Sequence, residues 1–365
     1  MTAQSLNYIN AVYYPSWRVY KGLPPSSLRL DCVTHVLYAF VRINEDGSLR
    51  FADERADIVV PVDGEKGGLA ALAKAKRENP HIRTLISVGG GSGSAEFPAL
   101  AGNPQARAKF ATEVEEFVAK WSFDGVDIDW EHPSTTQQGK DYVSLLQALR
   151  AVLPPPYLVV SALPTAEYVL KHIDLPAVAD LVSFVNLMAY DFTGLWAKAA
   201  GHHAQLMACP HAGTGAPTKC ASTGVDYLRD HGIPSEKIVL GVPTYARCFS
   251  QAREPGHAFK GASLVEYRDL DEVCVRDATV HVAAAAASYV DEAGFASDKG
   301  KRSEPLGFMS FDVPETVRAK GQYVKTARLG GLFYWTGTGD RDGSESLVAA
   351  GFAELGADSA ASSGG

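Results

Sequence analysis

The sequence lacks the patterns that usually mark a metal or cofactor site. Its five cysteines form no CxxC pair, which argues against a structural zinc ion. His202 and His203 are adjacent, so on a strand they would point to opposite faces and make a poor chelate; both are expected in a loop. No G-x-G-x-x-G turn follows the first predicted strand, which disfavours a dinucleotide-binding fold. We therefore expect no metal and no cofactor.

Long apolar runs and basic clusters are also missing. No apolar run could span a bilayer, and no block of Lys and Arg offers a surface for nucleic acid or an anionic membrane. The first ten residues have neither the basic segment nor the apolar segment of a secretory leader. The protein is thus expected to be cytoplasmic, or a mature secreted form whose leader has been removed, without nucleic acid or membrane partners.

The rest of the composition is that of an ordinary globular protein. The chain has 365 residues, of which 46% are hydrophobic and 21% charged, and its net charge of -8 favours a neutral or cationic partner. This length fits two or three average domains or one large α/β barrel. Cys209 and Cys220 could close a small disulfide loop, with buried free thiols as the alternative.

Short apolar runs alternate with helical segments along nearly the whole chain. The predicted strands cover residues 8–14, 34–40, 83–88, 125–130, 157–162, 181–189, 237–243 and 331–335. Most are unbroken apolar runs such as THVLYAF, which are typical of parallel strands buried on both faces. With helical segments between them, such as 104–121, 139–152 and 314–327, they predict an α/β fold, the (β/α)8 TIM barrel. An open doubly wound sheet is the alternative.

The alternation breaks between the seventh and eighth predicted strands. Residues 248–306 hold only an Ala-rich helix candidate at 282–289 and short polar turns, which predicts a short insertion at the top of the barrel. We expect one barrel domain over residues 1–355. Residues 356–365 are rich in Ala, Ser and Gly, a composition typical of a disordered tail.

The most informative stretch is FDGVDIDWEHP, which begins at residue 123. Asp127, Asp129 and Glu131 alternate with bulky apolar residues, so on a strand the three carboxyl groups share one face. Inside a barrel, burial and like-charge repulsion would both raise their pKa values, and Glu131 at the mouth could act as a general acid. A solvated acidic edge and a divalent-metal site are the alternatives, but the interleaved apolar residues and the absence of a calcium-loop glycine disfavour them.

This run resembles the DxxDxDxE signature of glycoside hydrolase family 18, the chitinases and their relatives, at every signature position. The likeness extends over about residues 11–340, and FMSFDVP at 308–314 resembles the fungal-type members, the class V chitinases. The resemblance implies that Glu131 is the catalytic acid, that Asp129 orients the substrate's acetamido group, and that Asp127 shares a proton with Asp129. It also implies retaining hydrolysis in which the acetamido oxygen, not a second carboxylate, attacks the anomeric carbon.

Two further segments resemble motifs of the same family. MAYD, which ends at Asp191, resembles MxYD, so Tyr190 is expected to donate a hydrogen bond to the acetamido oxygen. Met188 and Asp191 are then expected to help bind the sugar near the cleavage point. GVPTYAR resembles GxPxYGR, which implies that Tyr245 and Arg247 contact the sugar.

Glycines and aromatic side chains complete the expected site. SVGG, which ends at Gly90, resembles SxGG, where glycine lets a sugar approach the backbone; many family members carry Trp at the next position, occupied here by Gly91. Sugar rings stack on aromatic faces. The expected platforms are Tyr13, Trp17, Phe40, Trp196 and Trp335, the last of these forming the floor of the central subsite by resemblance.

Together these features predict a monomeric chitinase whose partner is chitin or N-acetylglucosamine oligosaccharides. An endo-β-N-acetylglucosaminidase acting on N-glycan cores would use the same residues, whereas a non-hydrolytic chitin-binding lectin would usually lack the acid Glu131. The short insertion resembles a reduced form of the family's α+β insertion, which implies a shallow cleft and endo-type cleavage.

Overall fold

Strands and helices alternate along the computed structural model, which describes residues 8–208, 219–292, 294 and 304–357. The strands are β1 (Ile9–Pro15), β2 (His35–Ile43), β3 (Leu49–Phe51), β4 (Pro61–Val62), β5 (Glu65–Lys66), β6 (Arg83–Gly89), β7 (Gly125–Asp129), β8 (Leu158–Pro164), β9 (Phe184–Met188), β10 (Ile238–Pro243), β11 (Tyr245–Ser250), β12 (Gly261–Glu266), β13 (Thr279–His281), β14 (Ala286–Asp291), β15 (Gly307–Phe311) and β16 (Gly331–Trp335). The α-helices are α1 (Gly67–Glu78), α2 (Phe97–Gly102), α3 (Pro104–Trp121), α4 (Thr136–Val152), α5 (Glu167–Leu170), α6 (Leu175–Leu181), α7 (Ala221–Asp230), α8 (Glu272–Arg276), α9 (Pro314–Thr326) and α10 (Leu347–Gly356).

Eight parallel strands form a closed barrel, as the sequence predicts. They follow the order β1–β16–β10–β9–β8–β7–β6–β2, and β1 pairs with β2 to complete the ring, while the short β3 adds to β2 in antiparallel orientation. Closure satisfies the backbone groups that the edges of an open sheet would leave unpaired. The TIM barrel is therefore confirmed, and the doubly wound alternative is wrong.

Alternation along the barrel strands separates two apolar layers. Val126 and Ile128 of β7 pack in the layer between barrel and helices, together with helix residues such as Val114. Tyr13 and Phe333 pack in a smaller layer inside the barrel. Because every second residue of a strand points inward, the inward positions of β7 carry carboxylates where other strands carry apolar side chains.

The interval between β10 and β16 is more ordered than the sequence predicts. Strands β11 to β15 form an antiparallel sheet in the order β12–β11–β15–β14–β13, and α8 packs against β14. The sheet extends from Tyr245 to Phe311, beyond the predicted limits of 248 and 306. The expected polar turns are therefore corrected to an ordered five-stranded sheet with one short helix, whereas the likeness to a reduced form of the family's insertion stays a prediction.

The helix predicted at 282–289 is wrong. Val282–Ala284 forms one 3-10 turn, and Ala286–Asp291 is strand β14, paired with β15 from Ala287 to Asp291. The run of alanines favours a helix locally, but the hydrogen bonds to β15 outweigh that weak preference. Tertiary pairing thus decides the conformation of this segment.

The cysteines and the chain ends are only partly covered by the described residues. Cys220 is a buried free thiol whose sulfur contacts the hydroxyl of Ser222, so the free-thiol alternative describes it; Cys209 lies outside the described residues. Gly356 still belongs to α10, so the predicted tail begins too early, and residues 358–365 also lie outside the described part. No helix in the described ranges is long and apolar enough to cross a membrane.

Helix α3, which supports β7 from outside, begins at a capped N-terminus. The Asn103 side chain accepts hydrogen bonds from the backbone N–H groups of Gln105 and Ala106, at 2.9 and 3.4 Å. Replacing Asn103 with Ala removes this acceptor and should lower the free energy of unfolding by about 1 kcal/mol, measured by urea denaturation. Asn103→Asp keeps an acceptor and is the matched control; an equal loss in both variants would contradict the capping role.

Candidate active site

Asp127 lies at the centre of a hydrogen-bond network inside the barrel. Tyr13 and Ser87 each donate a hydroxyl hydrogen bond to its Oδ2, at 2.8 and 2.7 Å, and Asn186 donates its side-chain N–H to the Tyr13 oxygen at 3.1 Å. Burial raises the pKa of Asp127 to about 6, although the hydrogen bonds from Ser87 and Tyr13 oppose the rise. Asp127 can therefore exchange a proton close to neutral pH.

Exposure increases along the carboxylate ladder toward the mouth of the barrel. Asp127 is fully buried, Asp129 is 5% exposed, and the side chain of Glu131 is 31% exposed. Burial raises the pKa of Asp129 well above its usual value, and the charges of Glu131 and Asp127 raise it further. Of the three, Glu131 alone combines burial with access to a ligand in the cleft.

Glu131 has the environment of a general acid. Burial and then the charge of Asp191 raise its pKa, and the backbone N–H of Gly91, which donates to the carboxylate, partly lowers it. A Cβ added at Gly91 would lie 3.5 Å from Glu131 Oε1, so the residue after SVGG borders the acid directly. The glycine leaves open the side of the acid where many family members have Trp.

Tyr190 lies just beyond the end of β9, which is separated from β7 by β8, and it is close enough to the carboxylates to respond to their charges. Burial raises its pKa well above the usual value, and the charges of Asp129 and Glu131 add to the rise. The phenol therefore stays protonated at neutral pH, and it can donate a hydrogen bond. Met188, two residues earlier, packs against the inner apolar layer.

Asp191 is held in place by three side chains. Arg247 donates to both of its oxygens, at 2.9 and 2.7 Å, and Tyr245 donates its hydroxyl at 2.8 Å. Nδ1 of the fully buried His203 lies 3.5 Å away. Burial alone would raise the pKa of Asp191, but His203 and Arg247 outweigh it and hold the pKa below its usual value. Asp191 is thus a fixed negative charge beside the acid.

An aromatic row extends from the barrel axis to the rim. Trp335 stacks on Phe40, with ring centroids 5.7 Å apart and an interplanar angle of 24°, and Trp17 lies 6.4 Å beyond Phe40. Tyr13 meets the edge of Trp335 at 5.3 Å. A Cβ at Gly90 would approach the Phe40 ring to 2.6 Å, so glycine is needed there. These rings form a continuous aromatic row, the arrangement that a floor for a sugar chain would need.

Trp196 lies apart from this row, in the loop that follows β9. Its side chain is 63% exposed, and the guanidinium of Arg247 lies 5.2 Å from its ring centroid. The guanidinium lies over the indole, and the exposed part of the ring is accessible to a ligand.

Asp124, the first acidic residue of the signature, has a different setting from the other three. It precedes β7, at the opposite end of the barrel from Glu131, and forms ion pairs with Lys76 and Arg83, at 2.7 and 3.2 Å. It also accepts a hydrogen bond from the backbone N–H of Thr84. These contacts tie α1 and β6 to β7, so Asp124 stabilises the barrel and does not face the cleft.

The structure brings the predicted site residues together at the C-terminal ends of the barrel strands and in the loops that follow. They are Glu131, Asp129, Asp127, Tyr190, Tyr13, Trp17, Phe40, Gly90, Met188, Asp191, Trp196, Tyr245, Arg247 and Trp335. Their individual roles stay predictions. In the described part of the chain, no group of three His, Cys, Asp or Glu side chains could hold a metal ion.

Three polar residues of the site were missed from the sequence. Ser87 lies in the SVGG segment, where only the glycines carried an expectation. Asn186 shares the inward face of β9 with Met188, and this alternation could have placed it inside the barrel. His203 was expected in a loop, where it lies, but nothing in a loop sequence indicates that the ring is fully buried beside Asp191.

Comparisons with known proteins agree with this geometry. Residues 9–340 match the family model described as Glycosyl hydrolases family 18. Endochitinase 1 of Metarhizium anisopliae is 31% identical over 371 residues, which cover 96% of this chain and 85% of that protein. The Group IV chitinase of Ostrinia furnacalis, solved in complex with allosamidin, has a TM-score of 0.83 at 24% identity and covers 96% of this chain and 99% of that one. A class V chitinase from Nicotiana tobaccum, solved in complex with NAG4, has a TM-score of 0.78 at 21% identity, with coverage of 96% and 99%; at such identities the likeness concerns the fold.

Proposed function

This chain belongs to family 18 of the glycosyl hydrolases, and we propose that it is a chitinase that hydrolyses β-1,4-linked N-acetylglucosamine polymers with retention at the anomeric carbon. The observation that carries the proposal is the graded ladder of carboxylates, in which a partly exposed Glu131 with a raised pKa lies above the buried Asp129 and Asp127. Relatives that cover nearly the whole chain are named endochitinase, which supports the choice of substrate.

Proton transfer is the task of Glu131. A carboxyl group whose pKa is raised keeps its proton at a pH where an ordinary Glu has lost it, so it can protonate the departing glycosidic oxygen. After the leaving group departs, the same carboxylate can take a proton from the incoming water. One residue thus acts as acid and then as base.

The nucleophile is the substrate's own acetamido oxygen. A second carboxylate would be needed for a covalent glycosyl-enzyme, but Asp191 has both oxygens bound by Arg247, and Asp127 lies below Asp129 inside the barrel. Asp129 can accept the acetamido N–H and stabilise the charge that develops there, while the protonated Tyr190 donates to the acetamido oxygen. The two residues fix the geometry of the internal attack.

The test is a time course on defined N-acetylglucosamine oligomers with detection of the anomers. Retention predicts that the β-anomer appears first and equilibrates only later. Products of inverted configuration would overturn the mechanism. A high-mannose glycopeptide included in parallel tests the N-glycan alternative, and exclusive cleavage of that glycopeptide would overturn the choice of chitin.

Endo-type cleavage remains part of the proposal, on a changed basis. The argument from a reduced insertion is weaker than the sequence suggested, because β11 to β15 form an ordered five-stranded sheet. The names of the relatives from Metarhizium, both endochitinases, now support it. Early products from a long oligomer should include several internal fragments; dimers released from one end alone would contradict endo-type action.

The pH dependence of the reaction should respond to Asp191. Its negative charge is one cause of the raised pKa of Glu131, so Asp191→Asn should lower that pKa. The general acid then loses its proton at lower pH. The alkaline limb of the profile of kcat/KM against pH should therefore shift to lower pH. Asp226→Asn, at an exposed position of α7, is the matched control. A limb that stays in place or moves to higher pH would contradict this electrostatic coupling.

A further inference from the structure

Trp17 is an exposed residue on a short segment at the rim of the barrel. It belongs to the 3-10 segment Ser16–Lys21, which follows β1, and its side chain is 43% exposed. Its aromatic neighbour is Phe40, at a tilted 6.4 Å. A sugar platform of this kind contributes to binding only if its ring is already in place, because ordering a loop on binding costs conformational entropy.

The next residue, Arg18, connects this segment with the insertion. Its guanidinium Nη2 forms an ion pair with a carboxylate oxygen of Glu266, the last residue of β12. The side chains are 12% and 25% exposed, so solvent screens the pair only weakly. Arg18 Nε also donates to the hydroxyl of Thr338, at 3.2 Å.

Three segments from distant parts of the chain therefore meet beside Trp17. Glu266 lies opposite Tyr245 in the β11–β12 register, so the ion pair reaches the base of the insertion sheet. Thr338 follows β16, which ends at Trp335, and its carbonyl oxygen accepts a hydrogen bond from Arg268 at 2.8 Å. Arg18 thus connects both ends of the aromatic row, at Trp17 and near Trp335, with the insertion.

We propose that the Arg18–Glu266 ion pair positions Trp17 for sugar units remote from the scissile bond, and so sets how well long chitin chains bind. The inference rests on the proposed function. Arg18 and Glu266 are positioning residues, because they act on the substrate through Trp17 and the loop that carries it. A partly buried ion pair is weak evidence for stability, but its fixed geometry suits it to hold one conformation.

This role predicts an effect that depends on the length of the substrate. In Arg18→Gln the Trp17 loop must be ordered anew at each binding event, so KM for the N-acetylglucosamine hexamer should rise about tenfold with kcat little changed. The trimer, which is too short to need Trp17, should keep its kcat/KM within about twofold. Glu266→Gln should give the same pattern, and Arg18→Lys should retain part of the hexamer binding.

The test combines kinetics on both oligomers with a charge swap. The double variant Arg18→Glu with Glu266→Arg restores an ion pair and should recover much of the hexamer KM that each single variant loses. Trp17→Ala should reproduce the length dependence, and no swap should rescue it. Arg276→Gln, which breaks an exposed ion pair with Asp277 in the same insertion, is the matched control and should leave both substrates unaffected.

The outcomes separate this inference from the proposed function. Equal losses on trimer and hexamer, an unchanged hexamer KM, or a swap no better than the single variants would each overturn the positioning role. Melting temperatures measured for every variant identify any general loss of folding. If a variant is unfolded, the milder Arg18→Lys and Glu266→Gln are used instead to compare the trimer with the hexamer. A wild-type protein that cleaves neither oligomer would instead overturn the proposed function.

Discussion

Glu131→Gln is expected to lower kcat on N-acetylglucosamine oligomers by about 100- to 10,000-fold, the usual contribution of a general acid or base. The amide has nearly the shape of the carboxyl group, but it cannot protonate the leaving oxygen or accept a proton from water. Binding should survive, because the aromatic row and Asp191 are untouched. The variant should therefore bind oligomers with an affinity close to that of the wild type.

A choice of leaving group makes this experiment specific for acid catalysis. A nitrophenyl glycoside needs little protonation on departure, so Glu131→Gln should lose much less activity in the first step on that substrate than on an oligosaccharide. Glu115→Gln, at an exposed position of α3, is the matched control and should behave as the wild type. Undiminished turnover of oligosaccharides by Glu131→Gln would remove the basis of the proposed mechanism.

The barrel and its ladder could be predicted because their sequence signals are local. Parallel strands buried on both faces are unbroken apolar runs, and the predicted range 331–335 coincides with β16. The strict alternation around Asp127 and Asp129 fixes a shared face whatever the rest of the fold, and the structure places both inside the barrel. The alternation of apolar and acidic residues had already placed these carboxylates on one face. The resemblance to the family then implied a role for each of them.

What the sequence did not predict depends on contacts between distant segments. Strand β14 follows from pairing with β15, against the helix preference of its alanines. The burial of His203 beside Asp191 follows from the packing of a loop that has no periodicity. The link from Arg18 to Glu266 joins segments that no local pattern connects. His203 contacts the predicted Asp191 and Arg18 adjoins the predicted Trp17, but none of the three features could be located without the fold.

Asp129→Asn is expected to lower kcat by about 100- to 1,000-fold, the magnitude found when one preorganised group that stabilises a transition-state charge is removed. The amide can still form a hydrogen bond, but it cannot pass a proton to Asp127, so it cannot become the negative charge that offsets the positive charge developing on the acetamido group. A cyclic thiazoline analogue of the intermediate should lose affinity in the same variant, whereas a simple oligomer should lose little, because the lost interaction belongs to the transition state.

Asp124→Asn provides a control with the same chemical change in the same signature. Asp124 pairs with Lys76 and Arg83 at the far end of the barrel, so its replacement should lower the free energy of unfolding and leave kcat nearly unchanged. If Asp129 only supported the fold, the two variants would both lose stability and would bind the thiazoline as the wild type does. A selective loss of kcat and of thiazoline affinity in Asp129→Asn, with the stability loss confined to Asp124→Asn, separates the residue that acts on the substrate from the one that holds the barrel.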